Sequence, residues 1–185
     1  GLGWPLIIGK RYSEIFVPTI VVALFLYYVF SILRMTNRDP LTGLFNRQAY
    51  YAAIKVNRKD ITALISIDMN GLKAINDNEG HAAGDEALST LASCFKKATK
   101  SKYFVYRVGG DEFVIIGVRS NDKEIKELIE RIEKNVSETR YHCAIGYSYK
   151  AGGDGDIDEM LKESDEMMYA NKAKYYSEQK SGSIS

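Results

Sequence analysis

The chain has 185 residues, of which 25 are Lys or Arg and 24 are Asp or Glu, so its formal net charge is +1 at pH 7. This length suits one domain of ordinary size with a short appendage. Non-specific nucleic-acid binding depends on a surplus of basic residues that neutralise phosphates. The near-neutral charge therefore argues against a nucleic-acid partner.

The first predicted element in chain order is a transmembrane helix at residues 15–33, preceded by the end of an extracytoplasmic region at residues 1–14. The helix segment contains no charged residue, and its length approaches the ~20 residues that a helix needs to cross a bilayer. Pro18 would lie in the first turn, where a missing N–H matters little. A cleaved signal peptide and a buried helix of a soluble protein are the alternatives, but no Ala-x-Ala-like cleavage site follows.

A short linker at residues 34–38, a folded domain at residues 39–177 and a disordered polar tail at residues 178–185 are predicted next. Apolar and β-branched patterns within the domain predict helices at 46–56, 84–100, 122–138 and 157–177, and strands at 61–67, 103–108, 113–118 and 141–150. Helices that alternate with hairpins around a few central strands indicate an α/β or α+β fold, with helices packed on a mixed sheet.

Acidic residues lie at the ends of two predicted strands. Asp68 follows the apolar strand 61–67, and Asp111 and Glu112 follow a Gly-Gly pair between two strands rich in aromatic residues. The glycines can supply the positive φ of a tight hairpin turn, which would place the acids at an exposed tip. Mg²⁺ prefers oxygen ligands and usually takes one or two carboxylates plus phosphates. Asp68 and Asp111 are therefore candidate metal ligands, although acids that only solubilise strand ends remain an equal alternative at this point.

Four ordered motifs resemble the successive signatures of GGDEF-domain diguanylate cyclases. They begin at Asp39 (DPLTGLFNR), Asp68 (DMNGLKAIND), Gly80 (GHAAGD) and Arg107 (RVGGDEF). The resemblance runs from Asp39 to about Tyr176 and implies an enzyme that condenses two GTP molecules into cyclic di-GMP and two pyrophosphates. It also implies a central five-stranded mixed sheet flanked by helices, like the palm of nucleotide cyclases and polymerases.

The resemblance implies a role for each matching residue. Asp68, the Met69 carbonyl and Asp111 would hold two Mg²⁺ or Mn²⁺ ions, which can stabilise both the entering and the leaving oxygen. Asn76 and Asp85 would bind the guanine edge, where an ionised Asp accepts from donors that adenine lacks; capping of helices is their alternative role. The other implied site residues are Lys73 and Lys172 on the phosphates, Gly109 and Gly110 in the substrate-binding hairpin, and Glu112 in transition-state or metal support.

Two departures from the family pattern limit what the resemblance implies. Many members carry an arginine on the last helix, one turn after the phosphate lysine, where this chain has Tyr176; Lys174 is an alternative cation for that role. An Arg-x-x-Asp product-inhibition site often precedes the hairpin, but residues 100–103 read Lys-Ser-Lys-Tyr. High-affinity feedback by cyclic di-GMP through that site is therefore not expected.

The resulting interpretation is a homodimeric, single-pass protein of the cell (inner) membrane with a cytoplasmic catalytic domain. Each domain would hold one GTP, and a symmetric product needs two of them face to face. The segment Gly3–Lys10 resembles the closing strand of an extracytoplasmic Cache sensor, so the chain would be the output part of a receptor whose product reaches separate cyclic di-GMP receptors. The alternatives are a catalytically silent GGDEF domain that binds GTP or a protein partner, and a cyclase of adenine-containing dinucleotides, against which Asp85 argues.

Overall fold

The computed structural model describes the backbone of residues 3–35, 37–153 and 155–182, and the side chains of residues 16–32, 37–152 and 155–178. The chain divides into two compact units, Gly1–Asn37 and Arg38–Ser185.

One helix, α1 (Gly3–Met35), lies within the N-terminal unit. The prediction of a transmembrane helix at residues 15–33 is not supported, because no helix within the described residues is long and apolar enough to span a bilayer. α1 begins well before residue 15, so Pro18 lies in the helix interior and not in the first turn. The residues of the N-terminal segment that resembles a sensor strand are helical as well.

The second unit carries a five-stranded sheet with the strand order β1-β3-β4-β2-β5. Its strands are β1 (Phe45–Asn46), β2 (Ile61–Met69), β3 (Tyr103–Arg107), β4 (Glu112–Val118) and β5 (Cys143–Tyr149). β1 runs parallel to β3, whereas the other neighbouring strands are antiparallel. The predicted mixed sheet is therefore confirmed, with β1 as an additional short edge strand.

Helices cover both faces of this sheet. They are α2 (Arg47–Asn57), α3 (Leu72–Glu79), α4 (His81–Ala98), α5 (Asp122–Ser137) and α6 (Ile157–Gly182). α3 was not predicted from the sequence. α6 extends to Gly182, five residues beyond the predicted end of the helix at residue 177 and into the predicted tail, and residues 183–185 lie outside the described part of the chain.

The central strand β2 is buried along its whole length. Successive side chains of a strand point to opposite faces, and here alternate residues enter two cores. Ile65 and Ile67 pack with residues of α4 and α5, whereas Leu64 packs with α2 and α6. Ser66 also faces α6, where its Oγ lies 2.8 Å from Ser164 Oγ. The same alternation places the Asp68 side chain on the α6 face.

α6 packs closely against β5 because Gly146 carries no side chain. A Cβ at Gly146 would overlap the backbone of Ser164 and Met168 on α6. Asn171 Nδ2 of α6 also donates to the Ile145 carbonyl, with an N···O distance of 2.6 Å. α6 is therefore held close enough to the sheet for its side chains to reach the end of β2.

Asp39 connects the start of the domain to the β3–β4 hairpin. Its Oδ1 accepts hydrogen bonds from Thr42 N at 2.8 Å and from Arg107 Nη1 at 3.1 Å. Arg107 Nη2 in turn donates to the Gly110 carbonyl at 2.8 Å. Burial raises the pKa of Asp39, but the hydrogen bonds from Thr42 and Arg107 outweigh burial and hold the pKa below its usual 3.8.

We expect Asp39→Ala to destabilise the domain by about 2 kcal/mol near neutral pH, since hydrogen bonds to a charged group contribute ~1.5–3 kcal/mol. A carboxylate with a lowered folded-state pKa stabilises the fold above its unfolded-state pKa. It loses that contribution as the pH falls through the folded-state pKa. The difference in unfolding free energy between wild type and Asp39→Ala should therefore shrink below about pH 4.

Urea denaturation from about pH 3 to pH 7 measures this difference. Asp60→Ala is the matched control, because it removes the exposed partner of Arg119 and exposed pairs contribute little. A penalty for Asp39→Ala that stays constant across this range would contradict the stabilising role of its ionised carboxylate.

Candidate active site

Asp68 and Asp111 meet at the sheet edge where β2 ends and β4 begins. The register of β2 with β4 sets Asp68 opposite Glu112. Beyond this pair, the Met69 N–H donates to the Asp111 carbonyl with an N···O distance of 3.0 Å. The three predicted metal-binding residues Asp68, Met69 and Asp111 are therefore brought together by strand pairing.

Asp68 is a buried acid with a basic partner. It is 5% exposed, and its Oδ1 lies 2.6 Å from Lys172 Nζ on α6. Burial raises the pKa of Asp68; Lys172 opposes this effect, and the nearby charge of Asp111 adds to it. Burial alone would lower the pKa of Lys172, but Asp68 and Asp111 hold it above its usual 10.5. The group thus combines two carboxylates with one ammonium, and this excess of negative charge favours a cation.

The donor atoms at this edge fit a hard divalent cation. Two carboxylates and a backbone carbonyl supply oxygen ligands, and Mg²⁺ usually completes such a set with waters and substrate phosphates. The described side chains contain no group of three or more His, Cys, Asp or Glu residues that could hold a metal. Asp68 and Asp111 supply only two such side chains, because the third donor of the proposed set is the backbone carbonyl of Met69.

The Gly109-Gly110 turn differs from the predicted one. The described glycines with positive φ are Gly43, Gly71, Gly80 and Gly152, so neither hairpin glycine uses the left-handed region. Space explains Gly109 instead, because a Cβ there would lie 2.5 Å from Glu112 Oε2. The Glu112 side chain is therefore folded over Gly109, where it also lines a cavity of about 220 Å³ with residues of α2 and α6.

The predicted guanine-binding residues lie on the two helices that follow β2. Asn76 of α3 is half-buried, and Asp85 of α4 is exposed. A Cβ on Gly84 would overlap Asn76 Oδ1. The Asn76 side chain therefore packs directly against Gly84, the residue that precedes Asp85. The N-caps of α3 and α4 are Gly71 and Gly80. Helix capping, the alternative role for Asn76 and Asp85, is thus not what the structure shows.

Other predicted site residues are less closely connected to the acids. Lys73 lies exposed at the start of α3. Among the described residues, neither Lys73 nor Asp85 has a hydrogen bond or ion pair with Asp68 or Asp111, whereas Lys172 does. Lys102, in the segment that lacks the Arg-x-x-Asp pattern, bonds to Glu124 with an N···O distance of 2.9 Å.

Two connections at the site were not predicted from the sequence. Arg107 links Asp39 to the hairpin, as described above, and the Tyr176 hydroxyl accepts a hydrogen bond from Gly71 N at 3.1 Å. Lys174, the alternative cation, is exposed and lies 3.9 Å from Glu178 Oε1. The only sequence signal for Tyr176 was its position one helical turn after Lys172, on the same helix face.

Sequence comparison identifies similar proteins over most of the chain. The family profile described as "Diguanylate cyclase, GGDEF domain" matches residues 36–177. "Probable diguanylate cyclase DgcJ" of Escherichia coli is 36% identical over 143 residues, which cover 72% of this chain and 29% of DgcJ. A diguanylate cyclase of Vibrio cholerae is 34% identical over 154 residues, which cover 75% of this chain and 47% of that protein. The chain thus spans less than half the length of these curated relatives.

Solved structures share the fold. Diguanylate cyclase SiaD of Pseudomonas aeruginosa, in complex with its activator SiaC, has a TM-score of 0.70 at 19% identity, covering 92% of this chain and 74% of SiaD. A microbial GGDEF domain solved with cyclic di-GMP has a TM-score of 0.62 at 30% identity, covering 75% of this chain and 94% of that domain. These likenesses support the fold, and the profile match over residues 36–177 shows that the chain belongs to the GGDEF-domain diguanylate cyclase family.

Proposed function

We propose that this chain is a diguanylate cyclase that joins two GTP molecules into cyclic di-GMP and releases two pyrophosphates. The observation that carries the proposal is the meeting of Asp68 and Asp111 at one sheet edge, with Lys172 beside them. Membership of the family supports the same reaction. In each half-reaction the 3′-hydroxyl of one GTP attacks the α-phosphorus of the other.

Asp68, the Met69 carbonyl and Asp111 are the residues that would hold Mg²⁺ or Mn²⁺, with two ions per site proposed. Such ions stabilise negative charge on the entering and leaving oxygens of a phosphoryl transfer. Lys172 already lies against Asp68, so its ammonium is positioned to contact a phosphate as a point charge. Lys73 would also contact the phosphates, and the Gly109-Gly110 turn would contact the substrate.

Asn76 and Asp85 are proposed to select guanine over adenine. An ionised Asp accepts hydrogen bonds, and guanine offers N1–H and N2 amino donors on one edge. Adenine lacks this pair of donors, so ATP should be a poor substrate. Glu112 shares the sheet face of Asp68, and we assign it support of the transition state or metal, not removal of the proton from the 3′-hydroxyl.

Two copies of the chain are required by this chemistry. One domain binds one GTP, and the two-fold symmetry of cyclic di-GMP needs a second domain that faces the first. We therefore propose a homodimer as the active form, serving as the output part of a longer signalling protein. Because GTP is a cytosolic nucleotide, we place the domain in the cytoplasm, where separate receptors would bind the product.

We expect the wild-type chain to form cyclic di-GMP from GTP and Mg²⁺, and Asp111→Asn to lower the rate by more than about 100-fold. A metal ion contributes several kcal/mol to such a transition state, and each 1.4 kcal/mol corresponds to about tenfold in rate. Mass spectrometry of the product measures the rate, and circular dichroism checks the fold. Glu130→Gln, which makes the same change of charge on the exposed face of α5, should remain active.

Full activity of Asp111→Asn would mean that the Asp111 carboxylate is not a ligand of the metal ion. A wild-type chain that binds GTP without forming product would instead favour the silent GGDEF domain. Product formed from ATP at a similar rate would contradict the role of Asp85.

We expect Asn76→Ala to raise the KM for GTP about 2- to 10-fold, the usual effect of one lost hydrogen bond. Gly84→Ala should act in a similar way, because its Cβ would displace the Asn76 amide, while alanine favours the helix itself. The two effects should be less than additive in the double variant, since both act on one side chain. Steady-state kinetics measures KM, and Asn78→Ala on the same helix is the control. Fully additive effects would mean that Gly84 does not act through Asn76.

A further inference from the structure

The turn that follows β2 has an unusual backbone at its end. Gly71 adopts φ +77° and ψ +13°, the left-handed region, as the N-cap of α3, and no side chain of its own segment caps that helix. A turn of this kind depends on partners from elsewhere in the fold, because its amide groups cannot be satisfied locally.

Three consecutive amides, from the last residue of β2 into the turn, donate to partners outside this segment. Met69 N donates to the Asp111 carbonyl at 3.0 Å, and Asn70 N donates to the His142 carbonyl at 2.9 Å. Gly71 N donates to Tyr176 Oη at 3.1 Å. The first two bonds join backbone to backbone, whereas a side chain supplies the third acceptor. The amino acid at position 176 therefore decides whether the Gly71 bond exists.

α6 contacts both the end of β2 and the turn after it from a single face. Lys172 Nζ lies 2.6 Å from Asp68 Oδ1, and Tyr176, one helical turn later, reaches Gly71. The helix is itself fixed to the sheet by the close approach at Gly146 and by the Asn171–Ile145 bond. Movement of Gly71 relative to β5 would thus require breaking the Tyr176 bond.

The phenol also suits the electrostatics of the site. A tyrosine side chain can accept from Gly71 but carries no positive charge, so it fixes the backbone without forming an ion pair with Asp68 or Asp111.

We propose that Tyr176 is a positioning residue that holds the end of β2 and the turn after it, from Asp68 to Gly71, so that the Asp68 carboxylate and the Met69 carbonyl are presented together to a divalent cation. The assignment of that cation site rests on the proposed cyclase function. Tyr176 acts through the Gly71 amide and needs no contact with the substrate.

The test compares the full chain with Tyr176→Phe, which keeps the ring and removes the hydroxyl. Tyr149→Phe is the matched control, because it removes a tyrosine hydroxyl at the far end of β5, where Tyr149 pairs with Ala63. Native-state hydrogen exchange, read by ¹H–¹⁵N NMR, reports on the Gly71 amide directly. Mn²⁺ binding is read from loss of the free-ion electron paramagnetic resonance signal, and cyclic di-GMP formation is titrated with Mn²⁺.

In Tyr176→Phe we expect faster exchange at Gly71 by about 2- to 10-fold and a similar rise in the Mn²⁺ concentration needed for half-maximal binding and activity. The rate at saturating Mn²⁺ should approach that of the wild type, and Tyr149→Phe should show neither change. Unchanged exchange at Gly71, or faster exchange with unchanged Mn²⁺ binding, would overturn the proposal. If the wild type forms no cyclic di-GMP but exchange and Mn²⁺ binding still change together, the role of Tyr176 stands and the proposed cyclase function fails.

Discussion

The antiparallel pairing of β2 with β4 is the constraint on which the candidate site depends. It sets Asp68 opposite Glu112 and continues past that pair through the bond from Met69 N to the Asp111 carbonyl. Strand register changes only in whole residues, and a shift of one residue would turn every side chain to the other face. Because β2 is buried along its whole length, such a shift would place Asp68 in the apolar core of α4 and α5. The register of β2 with β4 that packs the core is therefore also the register that places the acids.

α6 adds the second constraint, since it brings basic and polar groups to acids that the sheet has placed. Its close packing on β5 depends on Gly146, far in sequence from both Asp68 and Lys172. The resulting ion pair is largely buried, with 26% of the Lys172 side chain and 7% of the Asp68 side chain exposed. A buried carboxylate whose pKa is raised by burial and by a second carboxylate is more often found at functional sites than on ordinary surfaces. The position of Asp68 beside Asp111 at the strand end and the sequence motif thus point to the same role in cation binding.

Much of this fold follows from local patterns in the sequence. β-branched and aromatic runs located β2, β3 and β4, and apolar spacing located α2, α4, α5 and α6 to within a few residues of their observed ends. The predicted acids at the ends of β2 and the hairpin do meet at one edge. Local patterns did not predict the elements whose formation depends on residues distant in the sequence. β1 is two residues long and exists by pairing with β3, and α3 is short and has no buried residue.

The details of the site depended on similar long-range contacts. Gly-Gly suggested a turn with positive φ, whereas the structure shows Gly109 in contact with the Glu112 side chain that folds over it. Tyr176 was read as the loss of a cation, and its bond to Gly71 joins residues that no sequence period relates. Charge-free composition predicted a membrane helix at residues 15–33, which the structure does not support. Motifs thus located the chemical groups, and tertiary packing determined how they are connected.

The most direct test of this account is to locate a bound divalent ion on the protein. Mn²⁺ broadens the NMR signals of nearby amides, so substoichiometric Mn²⁺ added to the ¹⁵N-labelled chain with GTP present maps the site. The account predicts selective broadening of the amides of Asp68, Met69, Asn70 and of the hairpin from Gly109 to Glu112. Broadening confined to other acids, such as those at the start of α6, or no selective broadening at all, would contradict a metal site at the β2–β4 edge.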